Sequence, residues 1–389
     1  MERRIAHCDL DTFFVSVERL LNKRLEGRPV LIGGQSARSV VASCSYEARK
    51  FGVHSAMPMQ MARRLCPEAI VVRGDFDRYS KYSNIVTEIL EEEIPIVEKA
   101  SIDEHYLDMT GMDRFFGSWK MAQELRRRII KETGLPISFG LSVNKTISKI
   151  ATGEAKPSGA YKVTKGQEKC FLAPFSIRKI PGVGGKVYSL LRNMGVSHIS
   201  TLQEMDVRNM QQLLGKTGVY IWEKANGIDG SPVLPFYKQK SISKEHTFDN
   251  DIIDEQILKN TLLTMVDTLA FELRLKNKLA SCVTVKIRYS NFDTHTLQAK
   301  LPFTSLEKII SVKAVQLFEK LFARRMLVRL IGVKLSQLVS GSYQADLFND
   351  TWRDVRLSQT LDQIKLRYGE SIIQRGYAFG MPEKENEEK

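Results

Sequence analysis

The acidic segment at residues 101–108 constrains the fold most strongly, because it places two adjacent carboxylates, Asp103 and Glu104, between apolar neighbours. Adjacent residues of a regular strand point to opposite faces of a sheet. Two acids that share one site therefore require a turn between two strands, or one acid at the rim of the sheet. Hard divalent cations take carboxylate oxygens, and Mg²⁺ usually takes one or two of them together with substrate phosphates. The segment indicates a divalent-cation site, with a solvated hairpin tip as the alternative.

Length, charge and cysteine usage limit the class of protein. The 389 residues predict about two to four domains, and 43% hydrophobic residues are enough for several cores. A net charge of +13 favours a polyanionic partner, because Lys and Arg neutralise phosphates, although a merely basic soluble protein is the alternative. The five cysteines are scattered without a C-x-x-C pair, which argues against disulfides or zinc and favours the cytoplasm. We expect no membrane association, because there is neither a signal-peptide pattern nor an apolar run of about 18 residues.

A third candidate acid lies near the N-terminus. A short buried strand is predicted to end in Asp9, Leu10 and Asp11, and apolar residues at helical spacing follow it. A carboxylate at the end of a strand, directly before a helix, is well placed to meet distant acids. Asp9 is therefore the candidate partner of the acidic segment, and Leu10 offers a backbone oxygen. We interpret Asp11 or Thr12 as the N-cap of the helix, with capping as the favoured role of Asp11.

Side chains suited to a triphosphate occur in two places. Residues 43–52 bring a hydroxyl, a phenol and a guanidinium close together in Ser43, Tyr46 and Arg49. Arg binds phosphate through two parallel hydrogen bonds and Tyr donates from a fixed ring, so a triphosphate is a natural ligand. Lys156 lies at the tip of a predicted turn, where it is either a phosphate ligand or a solvated charge. Read alone, both cations are more simply explained as solvated surface charges.

Two later segments indicate contact with nucleic acid. Residues 180–186 predict a glycine turn before a helix, where backbone N–H groups approach a phosphate as in a helix–hairpin–helix element; an ordinary turn between helices is the alternative. After a linker rich in Gly, Pro and Lys, residues 242–340 predict the order β-α-β-β-α-β. Basic residues on its predicted strands indicate a sheet face that follows a DNA backbone, or else an open solvated face: Lys286, Arg288, Lys300 and Lys334.

Together these segments resemble the Y family of translesion DNA polymerases, most closely the bacterial DNA polymerase IV type. The resemblance runs over residues 1–348 and rests on motifs in the family's order: residues 9–14, 45–49, 101–104, 155–159, 180–184 and 344–348. It implies an α+β multidomain right-hand polymerase with a ferredoxin-like palm, small fingers, a helical thumb with the helix–hairpin–helix, and a β-α-β-β-α-β little finger. The implied boundaries are palm 1–20 and 78–165, fingers 21–77, thumb 166–230, linker 231–241, little finger 242–340 and C-terminal tail 341–389.

The resemblance also implies the reaction, which is template-directed, low-fidelity nucleotidyl transfer to a primer 3′-hydroxyl without proofreading. The implied cofactors are two Mg²⁺ ions, with Mn²⁺ as the alternative, held by Asp9, Asp103, Glu104 and the Leu10 carbonyl; the three acids are the implied catalytic residues. Phe14 matches the steric gate that leaves no room for a 2′-hydroxyl, with a place in the core as the alternative. The other implied nucleotide-binding residues are Phe13, Ser43, Tyr46, Arg49 and Lys156.

The implied partners are primer–template DNA, deoxynucleoside triphosphates and a sliding clamp, for a monomeric cytoplasmic protein. The implied DNA contacts are Gly182, Gly184, Gly185, Lys186, Lys286 and Arg288, and the implied clamp contacts are Gln344, Leu347 and Phe348. His105 departs from the small residue that the family has beside the acids, and we expect its side chain to point away from them. The clamp-like motif lies well before the C-terminus, which leaves the role of residues 349–389 open.

Two other functions use the same residues. A nucleotide cyclase also pairs acids in a palm-like fold, but it has no use for the glycine hairpin or the basic C-terminal domain. A catalytically silent DNA- and clamp-binding factor is the non-enzymatic alternative, and it would not need all three acids.

Overall fold

The structure is a computed structural model that describes residues 2–112, 117–236, 238–322, 324, 326–341, 351–369, 372–373 and 375–376. The strands are β1 (Ile5–Leu10), β2 (Val30–Gly33), β3 (Val41–Cys44), β4 (Ile70–Val72), β5 (Val97–Lys99), β6 (Glu104–Asp108), β7 (Ile137–Ser142), β8 (Ala160–Lys162), β9 (Ser241–Ile252), β10 (Lys278–Tyr289), β11 (Thr294–Thr304), β12 (Val328–Ser336) and β13 (Val339–Ser340). The α-helices are α1 (Phe13–Leu21), α2 (Tyr46–Arg49), α3 (Met59–Leu65), α4 (Phe76–Glu93), α5 (Ser118–Thr133), α6 (Lys145–Ala155), α7 (Glu168–Leu172), α8 (Gly185–Asn193), α9 (Ile199–Glu204), α10 (Val207–Leu214), α11 (Lys216–Ala225), α12 (Glu255–Leu275), α13 (Glu307–Leu321) and α14 (Thr351–Tyr368). None of the described helices is long and apolar enough to cross a membrane.

The chain divides into two compact units, Met1–Tyr237 and Lys238–Lys389. The central sheet of the first unit has the order β5-β6-β1-β7-β8, and β1 pairs antiparallel with both of its neighbours. Alternate residues of a strand face opposite sides of the sheet. Cys8 and Leu10 of β1 therefore enter the main hydrophobic core with α4 and α5, whereas His7 and Asp9 face α6 and the turn after it.

Gly140 of β7 allows α6 to pack directly on the face of the sheet that carries the acids. A Cβ atom at this position would overlap the Ser148 carbonyl oxygen and lie 2.5 Å from the Thr152 backbone nitrogen, both in α6. The close approach depends on a residue without a side chain. The close approach of α6 brings Lys149 within hydrogen-bond distance of Glu104 on β6.

Two smaller cores complete the first unit. A three-stranded sheet of order β3-β2-β4 encloses a cluster that includes Leu31, Val41 and Met59. Helices α7 to α11 enclose a second cluster, which includes Leu191 and Met210. The second cluster also includes Ile147, Ile150 and Ala151 of α6, so α6 packs against both the central sheet and these helices.

Residues 227–234, which span the end of the predicted thumb and the start of the predicted linker, are bound to other elements of the first unit. Asp229 accepts hydrogen bonds from the Thr146 backbone nitrogen at 3.1 Å and from the Thr146 hydroxyl at 2.7 Å. The Leu234 backbone nitrogen donates to the buried Glu98 carboxylate at 2.7 Å. The chain is therefore anchored to the central sheet and to α6 as far as Leu234.

The second unit confirms the predicted order β-α-β-β-α-β, in the sequence β9-α12-β10-β11-α13-β12. Its antiparallel sheet has the order β11-β10-β12-β9, and α12 and α13 cover one face around a shared core. Lys286 and Arg288 are two residues apart on β10 and therefore point to the same face of the sheet. Lys300 of β11 and Lys334 of β12 lie opposite β10 residues that point to that face too. The four basic side chains therefore share the face that lies away from the helices.

Candidate active site

The three candidate acids lie at the same end of two neighbouring strands. In the β1–β6 register, Asp9 lies directly opposite Glu104. Asp103 precedes β6, and its carbonyl oxygen accepts a hydrogen bond from the Leu10 backbone nitrogen at 3.0 Å. Glu104 thus lies on a strand and Asp103 in the turn before it. Two adjacent acids can share one site in this arrangement.

Two lysines, one on α6 and one in the turn after it, contact these acids. Lys156, in the turn after α6, donates to Asp9 Oδ1 at 2.5 Å. Lys149, on α6, forms an ion pair with Glu104 Oε1. Lys149 was not among the predicted site residues, because a lysine on a helix gives no local signal of an acid on a distant strand.

The electrostatic environment differs between the two facing acids. Burial raises the pKa of Asp9 to about 7, Lys156 opposes that rise, and Glu104 and Asp103 add to it. Burial also acts to raise the pKa of Glu104, but His7 and Lys149 hold it below its ordinary value. The site therefore concentrates negative charge that a cation would stabilise.

The residues present fit a hard divalent cation by their chemistry. In the ranges that the structure describes, no three Asp, Glu, His or Cys side chains converge on one point. The acids point instead at other partners, since Asp103 Oδ1 accepts from the Ser101 hydroxyl at 2.6 Å while lysines hold Asp9 and Glu104. The lysine ammonium groups thus neutralise the carboxylates in this structure. To bind a metal ion, the carboxylates would have to release the lysines.

Asp11 joins the triphosphate candidates to the end of β1. Its carboxylate accepts from the Tyr46 hydroxyl at 3.3 Å, from Ser138 Oγ at 2.8 Å and from the Ser158 backbone nitrogen at 2.7 Å. The interpretation of Asp11 as an N-cap is wrong, because its side chain points across the sheet. Thr12 occupies the N-cap position in a left-handed conformation, without a capping side-chain bond.

The predicted nucleotide-binding residues lie around this junction. The guanidinium of Arg49 lies 5.0 Å from the centre of the Tyr46 ring, and Ser43 is largely buried on β3. Phe14 is half-buried, and its ring stacks on Tyr79 with 4.3 Å between centroids and 13° between planes. Phe13 is buried in the main core.

The predicted DNA and clamp contacts are described only in part. Gly182, with φ of 103°, shapes an exposed turn, and Gly184, Gly185 and Lys186 are exposed at the start of α8. In the second unit, Lys286 pairs with Glu245 at 2.8 Å and Arg288 donates to Thr294 at 2.9 Å. The clamp candidates lie outside the described residues: Gln344, Leu347 and Phe348.

His105 points away from the acids, as expected. It is fully buried on the opposite face of the sheet, and its Nε2 lies 2.9 Å from the Thr87 hydroxyl of α4. Burial lowers the pKa of His105 to about 3. The residue is therefore a neutral core histidine.

Comparisons with known proteins agree with this architecture. The impB/mucB/samB family model matches residues 8–153, the model of its C-terminal domain matches residues 239–347, and the model of the DNA polymerase-iota thumb domain matches residues 178–229. A DNA polymerase IV of Dehalococcoides mccartyi strain CBDB1 is 37% identical over 381 residues, which is 97% of this chain and 98% of that protein. One of Treponema denticola is 34% identical over 378 residues, which is 96% of each protein.

A solved structure shares the fold. The Y-family DNA polymerase chimera Dbh-Dpo4(243-245)-Dbh superposes with a TM-score of 0.79 at 26% identity, covering 87% of this chain and all of that one. The site and fold define a right-hand polymerase with palm, fingers, thumb and little finger, and the chain belongs to the Y family of DNA polymerases. Its curated relatives cited above are DNA polymerases IV, and the predicted fold class and family resemblance are both confirmed.

Proposed function

We propose that this DNA-directed DNA polymerase performs template-directed translesion synthesis, with low fidelity and no proofreading. The observation that supports the proposal is the junction at the end of β1. There Asp9 faces Glu104 beside Asp103, and Asp11 joins Tyr46 to the lysine-bearing turn. Acids for a cation and cations for phosphates thus lie next to one another.

The proposed cofactor is a pair of Mg²⁺ ions, with Mn²⁺ as a substitute. Asp9, Asp103 and Glu104, with the Leu10 carbonyl, would hold them. When bound, such ions activate the attacking hydroxyl and stabilise charge on the leaving group of an in-line displacement. Lys156, which bonds Asp9 in this structure, would be available to the triphosphate once the carboxylate had a stronger cationic partner.

The remaining nucleotide-binding residues act by position. Arg49 and Tyr46 donate to the triphosphate oxygens, and Ser43 adds a hydroxyl. Phe14, fixed by its stacking on Tyr79, blocks a 2′-hydroxyl and so selects deoxynucleotides. Phe13 supports Phe14 from the core, since the two rings lie 5.6 Å apart.

We assign the domains with the boundaries given in the sequence analysis. The glycine turn with Lys186 and the basic sheet face with Lys286 and Arg288 hold primer–template DNA through its phosphates. Gln344, Leu347 and Phe348 dock on a sliding clamp, which keeps a weakly bound monomeric polymerase at its cytoplasmic substrate.

Primer extension tests the proposal. Wild-type protein should extend a labelled primer on a template with the four deoxynucleotides and Mg²⁺, and Asp103→Asn should abolish extension. Asp108→Asn is the matched control, because Asp108 lies at the far end of β6 and bonds the Thr110 backbone nitrogen. Phe14→Ala should extend with ribonucleotides that the wild type rejects. Pure wild-type protein that binds DNA without extending the primer would instead indicate a silent binding factor.

A further inference from the structure

His7 is a buried histidine beside the acids that the proposed reaction does not yet use. It lies two residues before Asp9 on the same face of β1, and its side chain is 1% exposed. Its Nδ1 lies 2.9 Å from the Thr152 hydroxyl of α6. Among the described residues its Nε2 has no hydrogen-bond partner, and it lies 4.0 Å from Glu104 Oε2. A buried polar nitrogen without a partner is costly unless it serves another state of the site.

The Glu104 carboxylate favours the tautomer with hydrogen on Nε2, because a carboxylate favours hydrogen on the ring nitrogen that faces it. Nδ1 then accepts from the Thr152 hydroxyl, which also lies 2.8 Å from the Ser148 carbonyl oxygen and 3.0 Å from the His7 carbonyl oxygen. Burial of the ring disfavours its charged form, so the donor is neutral.

The two oxygens of Glu104 face different kinds of donor. Lys149 holds Oε1 with a full positive charge, whereas His7 faces Oε2 with a neutral ring. A neutral donor orients a carboxylate without cancelling the negative charge that a cation needs. The ring itself is fixed by Thr152 and by the Tyr106 ring, whose centroid is 4.7 Å away.

We propose that His7 is a positioning residue for Glu104. Its Nε2–H closes onto Glu104 Oε2 when the carboxylate shifts by about 1 Å to a normal hydrogen-bond distance, and it fixes the orientation in which Oε1 leaves Lys149 to bind a divalent cation. The inference rests on the proposed function. Donors to a metal-binding carboxylate typically change metal affinity or activity by about 10- to 100-fold when they are removed.

The test compares four variants of the full-length enzyme in complex with primer–template DNA and a non-hydrolysable deoxynucleotide. Bound Mn²⁺ is counted by electron paramagnetic resonance, and kcat and KM for the natural deoxynucleotide are measured in parallel. His7→Phe keeps the ring but removes the donor. His7→Gln places an amide N–H near the position of Nε2, whereas His7→Asn places one near Nδ1. His105→Phe is the matched control, because His105 is equally buried and also bonds a threonine hydroxyl, but on the opposite face.

We expect His7→Phe and His7→Asn to weaken Mn²⁺ binding and lower kcat about tenfold with KM for the nucleotide unchanged. His7→Gln should stay close to wild type, and His105→Phe should keep its Mn²⁺ affinity. A thermal melt identifies variants that do not fold, and if His7→Phe is one of them the Gln and Asn variants decide. The role of His7 is refuted if His7→Phe binds Mn²⁺ as the wild type does, or if Gln and Asn behave alike. Wild-type enzyme that extends no primer would overturn the proposed function itself.

Discussion

The C-terminal helix α14 should depend on one buried ion pair. Arg274 of α12 donates to both carboxylate oxygens of Asp362 in α14, at 2.6 and 2.8 Å, and the two side chains are only 16% and 12% exposed. Arg274 also donates to the Ser305 carbonyl at 2.9 Å and to Glu307 at 3.3 Å. Within the second unit, α14 is thus joined to α12 through a guanidinium that also bonds the segment at the start of α13.

Asp362→Ala should weaken the docking of α14 by about 3 kcal/mol. Removing one partner of a buried ion pair costs about 3–5 kcal/mol, because the other charge stays buried without it. The lower end of that range applies, since Arg274 keeps its bonds to Ser305 and Glu307. At about 1.4 kcal/mol per factor of ten, the opening equilibrium of α14 should rise by about 100-fold.

Amide hydrogen exchange of the full-length protein measures this change directly. Peptides from residues 351–368 should exchange about 100-fold faster in Asp362→Ala, while those from the central sheet of the first unit stay unchanged. Asp354→Ala is the control on the same helix. Its pair with Lys308, at 3.2 Å, is largely exposed on the lysine side and should contribute about 0–1 kcal/mol. Equal exchange rates in the two variants would show that the Arg274–Asp362 pair does not hold α14 in place.

Two further predictions concern the packing of α6 on the central sheet. Lys145→Met should lower the free energy of unfolding by about 3 kcal/mol in urea titrations, because the buried Glu98 loses its ammonium partner; an unchanged midpoint would contradict this. Gly140→Ala should cost about 1–3 kcal/mol and slow primer extension, because a Cβ atom would displace α6 and its lysine from the acids. If a folded Gly140→Ala protein extended primers at the wild-type rate, the close approach of α6 to the sheet would not be needed for activity.

The sequence predicted the acids and much of the fold because these depend on local patterns. Asp103 and Glu104 stand between apolar neighbours, and a strand-to-helix change follows Asp9, so each acid could be placed at the end of a strand. The alternation along β10 likewise placed Lys286 and Arg288 on one face. Both inferences need only the two-residue period of a strand.

The sequence could not predict the contacts that join distant segments. Lys149 reaches Glu104 only because Gly140 lets α6 approach the sheet, and a lone glycine in a strand is not a recognisable signal for that contact. His7 lies near Glu104 because β1 pairs with β6, and the sequence does not show which strands pair. Asp11 looked like a helix cap because the local pattern is that of a cap. Its true partners, Ser138 and Ser158, are more than a hundred residues away in the chain.

The most direct test of the central claim is a crystal structure of the enzyme with primer–template DNA, an incoming deoxynucleotide and Mn²⁺. We predict anomalous peaks from Mn²⁺ beside the carboxylates of Asp9, Asp103 and Glu104, with Lys156 moved from Asp9 to the triphosphate. Anomalous peaks elsewhere, or Lys156 still bound to Asp9 beside a bound nucleotide, would show that the proposed metal site is wrong.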